Sequence, residues 1–285
     1  MPGNISMLYG GTAPEQSALE YAAWLGASLE ARVEVRYARD PLSVLDEDQR
    51  AQYRNLLELG GWDHAHRFLM ETFRRELAED AKHAAGTFRD SAASRHLAWG
   101  KPLDLSGNAG EVLDSLAYRR DLLMAGFALN RGVRDVLQKR VLLGTGTPVM
   151  LIATPPAQAR LEDSTMVVAW KPSPAARRAL SHGLALLSRV RQVYLVAIEE
   201  PGERNLPTAQ EMADHLLEAH SVRAEAVGLR ATDGPADQLQ GFYREIGADL
   251  LVMGAYSMPR LQEIFLGGFT RRFISREDCN VLLAH

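Results

Sequence analysis

Gly254, Ser257, Gly267, Gly268 and Thr270 are the residues of this chain whose types and spacing best suit a bound ligand. The Gly267-Gly268 doublet precedes Phe269 to Arg276, a stretch that reads as a short helix. A doublet there leaves the first helical amides bare. Bare amides at the positive end of a helix dipole suit an anion, such as the phosphates of a nucleotide. Thr270 would add a hydroxyl, and Arg271 or Arg272 a positive charge. The loop shows no evident general base or metal-binding carboxylate, so any hydrolysis of such a ligand would be slow.

Other familiar catalytic patterns are missing. Gly100-Lys101 is followed by Pro102 and has no glycine five residues earlier, so it is not a Walker loop. Gly144-Thr145-Gly146 lacks the third glycine of a dinucleotide loop, and there is no His-Glu-x-x-His or Gly-x-Ser-x-Gly. Tyr9-Gly10-Gly11-Thr12 is similar to the pyrophosphatase loop of α/β enzymes, but the residues after it do not continue the pattern. In Asp63-His64-Ala65-His66 the imidazoles are two residues apart and would leave a helix in different directions, so no metal site is expected there. Cys279 follows Glu277 and Asp278, whose charges would raise its pKa; an inert thiol is expected. Trp24, Trp62, Trp99 and Trp170 read as packing residues, and Arg119-Arg120, Arg177-Arg178 and Arg271-Arg272 as surface charge.

The elements that would position the glycine loop come twice. Asp121-Leu-Leu-Met-Ala-Gly126 reappears as Asp249-Leu-Leu-Val-Met-Gly254, and each is followed by an apolar closing run, Thr147–Ile152 and Asn280–His285. The openings match too: Ile5–Tyr9 leads to Ala18-Leu19, and Met166–Trp170 leads to Ala179-Leu180. Two copies of one fold are therefore expected over 1–154 and 162–285, joined through the proline-containing stretch Thr154–Arg160. Short apolar runs alternate with helical patterns, which implies an α/β fold: two open, mostly parallel sheets of five strands with helices on both faces. Such sheets bind ligands at the carboxyl ends of their strands, where Gly254 lies. The first copy carries an additional helical stretch, about 46–93, broken at Gly60-Gly61 and bearing an apolar stripe of Leu56, Leu57, Phe68, Leu69 and Phe73. It reads as a surface helix pair packed on the sheet edge, with a partner-binding face as the other reading.

Composition limits the function classes. The chain has 285 residues with 46% apolar and 24% charged side chains, ample for a packed core. A formal net charge of −4 argues against sequence-independent nucleic-acid binding, which needs clustered positive charge. A single cysteine excludes an intrachain disulfide and fits a reducing cytoplasm. No signal peptide and no membrane span is expected.

At the glycine loop and the two Asp-Leu-Leu strands the sequence resembles the universal stress protein family. That family's pattern is glycine, two residues, glycine, nine residues, then glycine followed by Ser or Thr. Gly254 and Gly267 fall on its first and third glycines; Ser257 stands at the second, and Gly268 where Ser or Thr is expected, with Thr270 two residues later. The resemblance implies the adenine nucleotide alpha hydrolase-like architecture and ATP or AMP binding in some members but not others. In nucleotide-binding members an acidic residue closes the first strand; Lys171 and Gly10-Gly11 stand in those places here. The first copy departs further: Lys139-Arg140-Val141-Leu142 occupies its loop without a glycine, so that copy is expected to be structural. The expectation is a stress-response module with weak ATP or AMP binding in the second copy, backbone groups near Ile198 meeting the base. It has no metal, no nucleic-acid or membrane partner, and an internal pseudo-dimer with closing strands side by side, a homodimer remaining open. The alternative is a tandem scaffold that binds no nucleotide and acts through protein contacts; a true enzyme of the wider α/β group is a third reading.

Overall fold

A computed structural model describes residues 3–11, 15–38, 42, 45–88, 95–101, 103, 105, 108–199, 205–230, 234–255, 268–275 and 278–285. Ten strands form one sheet. In the first half these are β1 (Asn4–Tyr9), β2 (Arg32–Tyr37), β3 (Leu97–Trp99), β4 (Leu122–Gly126) and β5 (Val149–Ile152). In the second they are β6 (Thr165–Trp170), β7 (Gln192–Glu199), β8 (Ala224–Arg230), β9 (Leu250–Gly254) and β10 (Val281–Ala284). Their order is β3-β2-β1-β4-β5-β10-β9-β6-β7-β8, so each half repeats one arrangement. Every pairing is parallel except that of β5 with β10, where Leu282 faces Met150. The two sheets expected separately are thus joined into one by their closing strands.

The innermost strands explain the apolar runs in the sequence. All residues of β4, β5 and β10 are buried, because helices cover both faces and no position can be polar without a partner. On one face α1 (Gln16–Leu29) and α7 (Pro174–Leu187) pack on Met124, Met150, Val252 and Leu282. α8 (Leu206–His220) lies on the same side against β7 and β8. The opposite face packs against α4 (Ala109–Ala117), α9 (Pro235–Glu245) and α10 (Gly268–Ser275).

Strand starts are tied to the repeated aspartates. Asp121 Oδ2 accepts from the Gly3 and Asn4 amides, and Asp249 Oδ2 from the Thr165 amide at 2.8 Å. A carboxylate at the head of β4 or β9 therefore fixes the neighbouring strand's entry, which gives the repeated Asp a structural role. Arg120, expected at the surface, is instead partly buried: its Nε donates to Ser6 Oγ at 2.6 Å, and its guanidinium pairs with Glu34, which also holds Arg36.

The additional stretch forms α2 (Glu47–Glu58), opened by an Asp46 and Gln49 capping box, and α3 (Trp62–Phe88). Gly60 takes a φ of +73°, a turn that a side chain would strain. Leu69 and Phe73 are buried against the body. Trp62 is not a packing residue: at the tip of the hairpin it is 70% exposed, beside Leu59 at 85%. Among the described residues no helix is long and apolar enough to cross a membrane.

Candidate functional site

Strand β6 lies between β7 and β9, and at its carboxyl end the chain turns into α7. This is the point where connections diverge on either side and where open α/β sheets take ligands. Ser173 caps α7, its Oγ accepting from the Ala176 amide at 3.3 Å, and Pro174 opens the first turn, where its missing N–H costs nothing. Gly254 closes β9 directly against that turn. A Cβ there would lie 2.5 Å from the Ala176 nitrogen and 2.6 Å from the Ala175 carbonyl carbon. Only glycine lets the helix start and the strand end approach this closely.

Helix α10 begins at Gly268, and the side chain of Thr270 in its first turn is buried, 6% exposed. Ser257 and Gly267 lie outside the described residues. Ile198 sits on β7, two strands from β9 and so about 10 Å away. Its carbonyl accepts from Asn205 Nδ2 at 3.0 Å. The structure therefore places Gly254 at the end of β9 against α7, starts α10 at Gly268, and places Ile198 on β7. Arg272 does not sit as an open surface charge: its guanidinium pairs with Asp237 and reaches Gln240 Oε1 at 3.4 Å, tying α10 to α9. Arg271 and Lys171 are exposed.

The equivalent crevice of the first half is filled. Glu15, immediately before α1, is fully buried, and both carboxylate oxygens accept from the Gly10 amide, at 2.9 and 3.0 Å. A Cβ on Gly10 would lie 2.7 Å from Glu15 Oε2. A side chain on Gly126, the counterpart of Gly254, would meet Ala18 Cβ at 3.0 Å. The turn Lys139-Arg140-Val141-Leu142 lies in a continuous helical stretch: α5 (Arg131–Val136), a π-turn (Leu137–Val141) and α6 (Leu142–Gly144) run without a break. Within it Arg140 Nε donates to Asp114 Oδ2 at 2.7 Å, the same helix-to-helix tie that Arg272 makes to Asp237. Glu15 carries no sequence signal, since an isolated glutamate before a helix is ordinarily solvated.

Among the described residues no group of three or more His, Cys, Asp and Glu side chains could share an ion. His64 and His66 are exposed on α3 on either side of buried Ala65. Cys279 is buried, and burial together with the Asp278 charge pushes its thiol up to about 12.

The chain is a duplicated α/β sheet, each half repeating one strand order. Residues 164–285 match the model of the universal stress protein family. The whole chain is similar in fold to a universal stress protein from Archaeoglobus fulgidus DSM 4304, at 16% identity over 99% of this chain and 96% of that chain, with a TM-score of 0.66. It is likewise similar to a functionally unknown protein from Pseudomonas aeruginosa PAO1, at 11% identity over 99% of this chain and 92% of that chain, TM-score 0.57. A universal stress protein family protein from Arabidopsis thaliana with AMP bound matches 42% of this chain and 90% of that chain, at 17% identity and a TM-score of 0.28. No curated protein matches the sequence. The C-terminal half thus matches the universal stress protein family model, and the N-terminal half repeats the fold of that region.

Proposed function

We propose that this chain is a cytoplasmic stress-response module whose C-terminal half binds ATP or AMP weakly and whose N-terminal half is structural. The observation that carries the reading is the contrast between the two crevices. Both halves end the equivalent strand in glycine, Gly126 and Gly254, but in the first half the buried Glu15 side chain fills the place beside Gly126 and accepts from the Gly10 amide. An incoming phosphate would find that place in the first half occupied by Glu15, whereas the atoms nearest a Cβ on Gly254 are those of Ala175 and Ala176. The phosphates would lie along Gly254, Ser257, Gly267, Gly268 and Thr270. The residues present fit a weak site better than a strong one, because Arg272 is already held by Asp237 and Lys171 replaces the acidic residue expected at the nucleoside. Bound nucleotide would supply negative charge and an aromatic base, and the chain's own part is to orient them.

Isothermal titration of the intact protein with ATP, ADP and AMP tests this reading. Heat at high micromolar to millimolar ligand, lost in Gly267→Val, is the expected result. No heat with the fold intact would leave the second reading, a scaffold acting through protein contacts. Leu59 and Trp62 favour that one, as two large apolar side chains exposed together at the α2–α3 tip.

A further inference from the structure

Strand β1 lies between β2 and β4, so its C-terminal end is the point of the first half where connections diverge and where an open sheet takes a ligand. Glycines border that point, Gly10 just after β1 and Gly126 at the end of β4. The Glu15 side chain occupies the space between them. Its two carboxyl oxygens accept the Gly10 N–H at 2.9 and 3.0 Å, and the residue is 0% exposed. A Cβ on Gly10 would stand 2.7 and 3.2 Å from those oxygens, and one on Gly126 would stand 3.8 Å from Glu15 Cγ. The carboxyl head therefore rests on the first glycine, and the methylene stem passes the second. Counting along the repeat, Glu15 stands three residues before Ala18 and Ala176 three residues before Ala179. The second half has only a methyl group where the first has a carboxyl group.

We propose that the first half's crevice is a carboxyl-binding place that the chain fills with its own Glu15, an internal ligand that keeps external ones out. Taking a carboxyl group fully out of water is costly unless the surroundings supply hydrogen bonds. The group is tolerated here because the Gly10 amide is aimed at it and neither glycine has a side chain in its way. What this place recognises is the head group. An amide donor and a close fit against glycine suit a small free carboxylate as well as they suit the end of a glutamate. Attachment is what favours Glu15. A group carried on the same chain competes at an effective concentration that free carboxylates do not match. The inference is independent of nucleotide binding by the second half, since its residues take no part in these contacts.

Glu15→Ala in the full chain removes the γ-methylene and the carboxyl group, which together have the size and shape of acetate. The test is thermal unfolding at neutral pH in sodium acetate, against sodium chloride of the same ionic strength. The variant is expected to unfold below the wild type in chloride. In acetate at about five times its dissociation constant it should regain about 2–4 °C, with a saturable dose dependence. The wild type and Glu15→Gln, whose crevice stays filled by a side chain of the same length, should show no such gain. If Glu15→Ala does not fold in chloride, its refolding yield in acetate becomes the readout, and recovery is expected. An alanine variant that acetate neither stabilises nor refolds, or one that gains no more than Glu15→Gln, overturns the proposal.

Discussion

Asn280 Oδ1 accepts from the Ala153 amide at 2.8 Å and from the Thr154 amide at 3.0 Å, so a side chain just before β10 holds the end of β5 in the other half. Its Nδ2 reaches the Asp249 carbonyl and Thr154 Oγ1, each at 3.3 Å, and the residue is buried. Asn280→Ala would strand two part-buried amides and the buried Asp249 carbonyl. A loss of about 2–4 kcal/mol is expected in urea unfolding, against about 1 kcal/mol for a solvated hydrogen bond.

Two glycines should respond in opposite directions. Gly254→Ala pushes a methyl onto the Ala176 nitrogen and should cost about 1–3 kcal/mol, since the obstacle is backbone and cannot swing aside. Gly241, inside α9, has nothing within 4 Å of an added Cβ, and Gly241→Ala should stabilise by about 0.5–1 kcal/mol through helix propensity. Thermal or urea unfolding of both variants checks the pair.

Cys279 should resist alkylation. With the thiol buried and its pKa pushed up to about 12, almost no thiolate exists at pH 8. Iodoacetamide should label the native chain far more slowly than the chain in denaturant. Equal rates would show that the segment before β10 opens freely.

Glu34 should make the N-terminal edge acid-labile. Burial alone would raise its pKa, but the hydrogen bond and charge of Arg36, with Arg120, outweigh this and hold it below the usual carboxylate value. A lowered acid stabilises the fold above its unfolded pKa of about 4.3, and that contribution is lost as pH falls through the folded value. The wild-type unfolding midpoint should drop below pH 4. Glu34→Gln should be less stable at pH 7 and show a shallower acid decline.

The strands were legible because their apolar runs are buried on both faces and leave little room for another reading; Leu122–Gly126 and Leu250–Gly254 stand where the repeat puts them. The α2–α3 break at Gly60-Gly61 was equally plain, since the turn needs a left-handed backbone. What escaped the sequence were buried polar residues whose partners lie far along the chain. Glu15 reads as a solvated acid until Gly10 is seen above it, and Arg120 and Arg272 read as surface charge until Glu34 and Asp237 are placed. Trp62 misled in the other sense, since a large aromatic is usually buried and this one is at a tip. At the candidate site, Gly254 closes β9 and Ile198 lies near the end of β7, the strands on which their apolar runs place them, while Ser257 and Gly267 lie outside the described residues.

The antiparallel contact of β5 with β10 has a consequence for how this molecule is able to change. Because both strands belong to one polypeptide, dilution does not separate them. In a symmetric pair of identical chains every substitution appears on both sides at once; here each side mutates alone. A buried carboxyl group can therefore sit beside Gly126 in one half with no glutamate imposed on the matching place of the other, and a phenol can stand on one helix where the matching position of the other carries an imidazole. Duplication released the two halves from having to agree.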